Sequence, residues 1–224
     1  MQFNSYFLYF CYIAWNWNPI LALFIIYYEI TGERKYHIGT IGINDLKGLA
    51  RTGVDISHAS IYMPVNYFVL ERLMNEIVKY NGNKTFLDLG CGRGRVMIVA
   101  AHYGFKEIRG IDFAKNLCED AETMIRLHTR DIPAAHFTVL NCNATDYDIP
   151  DDLTSIFLFN PFDEVIMKEV LIRILKSLQQ SPRTIRILYA NPVYKSLFLE
   201  EGFAEIYHIK KLGYFEGSIL EKSA

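Results

Sequence analysis

The apolar and polar positions of this 224-residue chain change rhythm twice. From residue 84 onward, short apolar runs alternate with segments whose apolar residues recur every three or four positions. That alternation is the pattern of a parallel sheet with helices on both faces. It predicts strands over 85–89, 107–111, 137–140, 155–159 and 184–189, and a closing pair over 203–211 and 214–220. The helices between them fall over 95–103, 114–128, 164–179 and 194–201. A further helix over 65–80 carries Val69, Leu73 and Ile77 on one stripe, with Pro64 fixing its entry and Asn81-Gly82 its end. The expected fold is α/β, a doubly wound, mostly parallel sheet with a hydrophobic helical extension at the N-terminus.

That extension follows another rule. No charged side chain occurs before Glu29, and residues 6–28 are nearly all apolar or aromatic. Asn16, Asn18 and Pro19 interrupt the run, and neither a basic leader nor a small-residue cleavage site marks a signal peptide. Asn18 suits an N-cap, Pro19 a first helical residue and Gly32 a stop, so two helices are expected, over 3–15 and 19–31. Apolar runs of this length pack on a domain or partner, or associate with a membrane, where Trp and Tyr gather at the interface. If the segment spans the membrane, Arg34 and Lys35 would hold the following domain on the cytoplasmic side. Residues 1–32 are therefore read as a helical segment, 33–64 as a turn-rich connection and candidate substrate cap, and 65–224 as the main domain.

Composition narrows the class. Hydrophobic residues make up 51% and charged residues 21% of the chain, which describes a globular protein and not a disordered one. A net charge of −2 gives no electrostatic reason to expect nucleic acid as a partner. Cys11, Cys91, Cys118 and Cys142 show no paired spacing, consistent with free thiols in a reducing cytoplasmic compartment. Neither they nor the six histidines form a metal-ligand pattern, and no metal site is expected.

The most specific stretch is Phe86-Leu-Asp-Leu-Gly-Cys-Gly-Arg-Gly-Arg95. A buried strand that turns into a helix through glycines brings backbone N–H groups close to a ligand. A dinucleotide loop would have Gly or Ala where Arg95 stands, and an acid so near the first glycine is poorly placed beside a pyrophosphate. Asp88 suits a ligand that carries a cation, and S-adenosylmethionine has an ammonium, a sulfonium and no phosphate. Asp112 follows the glycines at the spacing from which a carboxylate grips a ribose. Asp88, Asp112, Asn143 and Asn160 all stand at carboxyl ends of predicted strands, where open α/β sheets bind ligands.

With these residues in view, the chain from about residue 60 onward resembles a class I S-adenosylmethionine-dependent methyltransferase. Asp88-Leu-Gly-Cys-Gly92 is similar to the motif whose acid and glycines hold the methionine end, which assigns Asp88, Gly90, Cys91 and Gly92 to the cofactor. The resemblance implies that Asp112 binds the ribose, that Phe113 packs on the adenine, and that Asn143-Ala144 meets the adenine amine where the family usually has Asp-Ala. Asn160-Pro161-Phe162 resembles the Asn/Asp-Pro-Pro-Tyr/Phe motif of amine methyltransferases, one proline short. Arg34-Lys-Tyr-His-Ile-Gly-Thr upstream and Phe-Asn-Pro-Phe at the fourth strand are similar to bacterial members of the superfamily. The hydrophobic N-terminus followed by Tyr62-Met-Pro64 resembles, more loosely, membrane-tethered protein lysine methyltransferases.

The expected activity is methyl transfer to an acceptor that is a protein, a lipid or a small molecule, with an amine nitrogen such as lysine favoured by the fourth-strand motif. Asn160 would contact both cofactor and acceptor, and Asn160, Pro161 and Phe162 are the candidate catalytic residues. Tyr62 and Tyr194 are candidates for the pocket wall. The rival readings are a non-catalytic cofactor binder and a nicotinamide-dependent oxidoreductase, the second opposed by Arg95.

Overall fold

The computed structural model describes residues 10–11, 14–15, 18–39, 64–80, 85–128, 132, 134–159 and 162–224. Its centre is β1 (Thr85–Leu89), buried at every position, as expected of a parallel strand covered on both faces. Parallel strands β2 (Glu107–Asp112) and β3 (His136–Asn141) lie to one side. On the other side are β4 (Ser155–Phe159) and β5 (Thr184–Ala190), also parallel. β7 (Phe215–Ser223) runs antiparallel between β5 and β6 (Ala204–Lys211), giving the order β3-β2-β1-β4-β5-β7-β6. The order reverses between β1 and β4, so a crevice opens there at the carboxyl ends of the strands.

Helices divide between the two faces as the reversal requires. On one face, α1 (Pro19–Tyr36), α2 (Tyr67–Ile77), α3 (Arg95–His102) and α4 (Lys115–His128) share a core that includes Leu70, Met97, Ile98 and Ile125. On the other, α5 (Glu164–Gln180) and α6 (Lys195–Glu200) cover a second core with Leu87, Met167, Ile174 and Phe198. Side chains of β1 alternate between the two, Phe86 into the first and Leu87 into the second, as strand geometry demands.

The periodicity locates these elements closely, and β2 to β5 differ from expectation only at their ends. The expected helix over 65–80 is α2 followed by a 3₁₀ turn, Val78–Tyr80. Its N-cap is Asn66, whose side chain accepts from the Phe68 N–H at 2.9 Å. The expected stop at Asn81-Gly82 lies outside the described residues. So does most of the helix expected over 3–15, of which positions 10, 11, 14 and 15 are helical.

The one clear correction concerns Gly32. Asn18 caps α1 as expected, its Oδ1 accepting from the Leu21 N–H at 2.7 Å, with Pro19 at the first helical position. The helix then runs through Gly32 to Tyr36 and ends at His37, which adopts the left-handed conformation with φ 57°. Gly32 is needed for close approach, since a side chain there would run into the Tyr67 ring of α2. A glycine that lets two helices touch looks, in sequence, the same as one that ends a helix. Among the described residues, no helix is long and apolar enough to cross a membrane.

Candidate functional site

The turn from β1 into α3 is made by three glycines in the left-handed region, Gly90 at φ 84°, Gly92 at 52° and Gly94 at 80°. L-residues with side chains rarely occupy that region, so the alternating glycines are what allow the strand to reverse so sharply. The loop is fastened to β2, with the Gly90 and Cys91 N–H groups both donating to the Ile111 carbonyl at 2.9 Å. Gly92 N–H donates to Asp112 Oδ2 and Ala114 N–H to Asp112 Oδ1, each at 2.9 Å. Asp112 therefore joins the glycine loop to the start of α4.

These contacts bear on the ligand. A phosphate site would direct free N–H groups outward, but the Gly92 N–H is already taken by a carboxylate. Beside it stands Asp88, 2% exposed, whose Oδ2 has no hydrogen-bond partner among the described residues. Burial, and then the charge of Asp112, push the Asp88 carboxyl well above the usual carboxylate range. Asp112 is also raised by burial, an effect opposed by the Ala114 and Gly92 N–H groups. Two buried acids and an orphaned oxygen make a place for a cation, which fits the ammonium end of S-adenosylmethionine and would repel a pyrophosphate.

The remaining expected site residues fall into three groups. Phe113 is half-buried directly after Asp112, at the rim of the same loop cluster. Asn143 is exposed and its amide donates to Asp146 Oδ2 at 3.3 Å, while Ala144 is buried beneath it in the second core. Phe162 is half-buried against that second core, just before Asp163, which caps α5 through the Ile166 N–H at 3.1 Å. Tyr194 packs on the same core, and its N–H lies 3.4 Å from the Tyr189 hydroxyl. Asn160, Pro161 and Tyr62 lie outside the described residues.

Three side chains around the site have roles that the sequence does not reveal. Asn141 donates from Nδ2 to the carbonyls of Asp112 and Phe113, at 3.0 and 2.8 Å, and so fixes the chain that follows β2. Its position at the end of β3 was the available signal. Cys118, on α4, donates from its thiol to the Asp112 carbonyl at 3.4 Å, and its proximity together with burial pushes the Cys91 thiol well above its ordinary range. Cys91 thus stays a protonated packing group under the loop.

The third is Arg95. Its side chain, 2% exposed, turns away from the ligand side and towards α1. Nη1 donates to Glu29 Oε1 at 3.1 Å and to the Val65 carbonyl at 2.7 Å. Nη2 lies 2.8 Å from Glu29 Oε2 and 3.8 Å from Glu33 Oε1. The guanidinium carbon sits 4.3 Å from the Tyr67 ring centroid, a cation–π contact. Glu29 Oε1 also accepts from Asn66 Nδ2 at 3.3 Å. One buried cluster therefore joins the starts of α2 and α3 to α1. In the sequence, the trace of this cluster is Glu29 and Glu33, one helical turn apart, and an arginine where a dinucleotide loop has a small residue.

Comparison with known proteins bears on the family and the fold. A family model described as a methyltransferase domain matches residues 81–212. The chain is similar in structure to a ribosomal protein L11 methylase from Lactobacillus delbrueckii subsp. bulgaricus, at 14% identity and a TM-score of 0.53. That match covers 72% of this chain and 81% of the methylase. A protein from Pyrococcus horikoshii OT3 is similar at 14% identity and a TM-score of 0.52, covering 76% of this chain and 97% of its own. At such identities the likeness speaks for the fold alone. No curated protein sequence matches significantly. With more than half its length matched by the family model, the chain belongs to the methyltransferase-domain family, and it is an S-adenosylmethionine-dependent methyltransferase of class I fold.

Proposed function

We propose that this enzyme transfers the methyl group to an amine nitrogen, with protein lysine as the favoured acceptor. S-adenosylmethionine supplies, when bound, a methyl group activated on a sulfonium. Asp88 would pair with its ammonium, and Gly90, Cys91 and Gly92 would line its methionine end. Asp112 keeps lone pairs for the ribose hydroxyls while it holds the Gly92 and Ala114 N–H groups. Phe113, Asn143 and Ala144 would bound the adenine, with Asn141 holding the backbone beneath Phe113 in place.

The observation that carries the cofactor assignment is the orphaned, buried Oδ2 of Asp88. The acceptor assignment rests on Asn160-Pro161-Phe162, which follows β4 in the sequence, next to the strand that carries Asp88. Displacement at a sulfonium is in-line, so holding the nucleophile at about 3–3.5 Å supplies most of the acceleration. An amine must arrive neutral to attack. A neutral amide such as that of Asn160 can accept its hydrogen bond without favouring the ammonium, as a carboxylate would.

Incubation of fractionated lysate with the enzyme and methyl-labelled S-adenosylmethionine tests the assignment. The label is expected in protein, recovered as methylated lysine after acid hydrolysis. Asn160→Ala is expected to lose turnover while retaining cofactor binding. Label that partitions into the lipid extract or the RNA fraction would overturn the lysine reading and leave the cofactor assignment standing.

A further inference from the structure

The buried Arg95 cluster fixes which way α1 faces. Leu21, Ala22, Glu29, Gly32, Glu33 and Tyr36 are the residues α1 buries against the domain. At 100° per residue, the opposite face carries Ile20, Leu23, Tyr27, Thr31 and Arg34 in one stripe. Ile20 is 71% exposed, Leu23 62% and Tyr27 62%, and upstream of the helix Trp15 is 91% exposed. Isolated exposed apolar residues are ordinary, but a continuous stripe on a rigidly held helix marks an interaction surface. A helix that is apolar on all sides is a buried helix, and along the apolar part of α1 only one side is buried among the described residues.

The charges identify what covers the other side. Both acids of α1 turn inward and are buried, while Arg34 and Lys35 are exposed at its C-terminal end. Lys35 is engaged by Glu71 at 2.6 Å, which leaves Arg34 as the cation that ends the stripe. The stripe itself bears no acid. A second copy packed on it in antiparallel fashion would set Arg34 against an uncharged end, and in parallel fashion against another Arg34. A bilayer offers both things the stripe lacks, an apolar layer and anionic headgroups. Trp15 and Tyr27 are the side chains that favour the boundary between those layers, and residues 1–28 contain no charged side chain to oppose immersion.

We infer that α1 lies in the plane of an anionic membrane surface, with Ile20, Leu23 and Tyr27 in the acyl boundary and Arg34 at the phosphates. The inference does not depend on the acceptor, and the helix side assigned to lipid is the side on which Ile20, Leu23 and Tyr27 are exposed. It makes the membrane contact interfacial, since the inward face of α1 is committed to Arg95 and Tyr67.

Flotation of the full chain with vesicles tests it. The protein is expected to float with phosphatidylcholine–phosphatidylglycerol vesicles and much less with phosphatidylcholine alone. Ile20→Ser/Leu23→Ser/Tyr27→Ser is expected to weaken binding by about tenfold or more, and Arg34→Gln by about fivefold. Melting temperature and cofactor affinity should be unchanged in both variants, which shows that they are folded. No flotation of the unmodified chain would overturn the inference. Flotation that the triple variant retains would do the same, as would a dimer by light scattering that the triple variant dissolves.

Discussion

Two carboxylates are buried on either side of the same glycine loop, and they are treated in opposite ways. Glu29 enters from α1 and meets Arg95 at the start of α3, with Asn66 as a further donor. Asp88 enters from β1 and meets Asp112, a second acid, with one oxygen left unpaired. Burial raises the carboxyl of both, but at Glu29 the charge and hydrogen bonds of Arg95 oppose the rise, whereas at Asp88 the neighbouring charge adds to it. The Glu29 cluster is complete within the protein and holds three helices together. Asp88 has no cation beside it among the described residues, which is what the proposed pairing with the cofactor's ammonium requires. The contrast distinguishes the two without reference to sequence motifs: Glu29 has its counter-charge within the protein, and Asp88, which has none, is the candidate for binding one.

The largest effect is expected from Arg95→Met, which leaves Glu29 and Glu33 buried without their cation. Chemical denaturation should show a loss of about 3–5 kcal/mol. The double change Glu29→Met/Arg95→Met should recover most of it, because an apolar pair can replace a buried ion pair of similar volume. If the single variant proves as stable as the parent, the cluster does not anchor α1 to the domain.

The converse is expected at Asp88. Asp88→Asn should weaken cofactor binding in calorimetry by about 10–100-fold, the loss of a charge-assisted contact. The same variant should raise the melting temperature of the free protein at pH above the raised Asp88 value, since it removes the cost of ionising a buried acid beside Asp112. A fall in both quantities would place Asp88 with Glu29 as a structural group and erase the contrast.

A smaller, graded effect follows with pH. A carboxyl raised in the folded state binds protons more tightly there than in the unfolded chain. Its stabilising contribution is therefore fully present below the ordinary carboxylate range and is lost as pH rises through the raised value. Cofactor affinity should run the other way, falling as acidification protonates Asp88 and removes the charge that an ammonium needs. Thermal denaturation at a series of pH values should show the first trend and titration calorimetry the second, and Asp88→Asn should flatten both. Parallel profiles in parent and variant would remove Asp88 as their source.

Local chemistry accounts for what the sequence alone determined. Strand and helix periods, the cap at Asn18, the glycines at 90, 92 and 94 and the polar residues at strand ends each depend on near neighbours, and each is visible in order along the chain. The family resemblance rests on the same local motif. Arg95 shows where that information stops. It was legible as a misfit in a dinucleotide loop, but its partner Glu29 lies 66 residues away and only folding brings the two together. Gly32 was legible as a glycine, yet only Tyr67, packed against it, decides that it serves close approach and not termination. The same holds for the apolar N-terminal run, whose residues are alike in sequence on every side. Only the buried ion cluster, a contact between distant segments, decides which side faces the core and which is left for a partner.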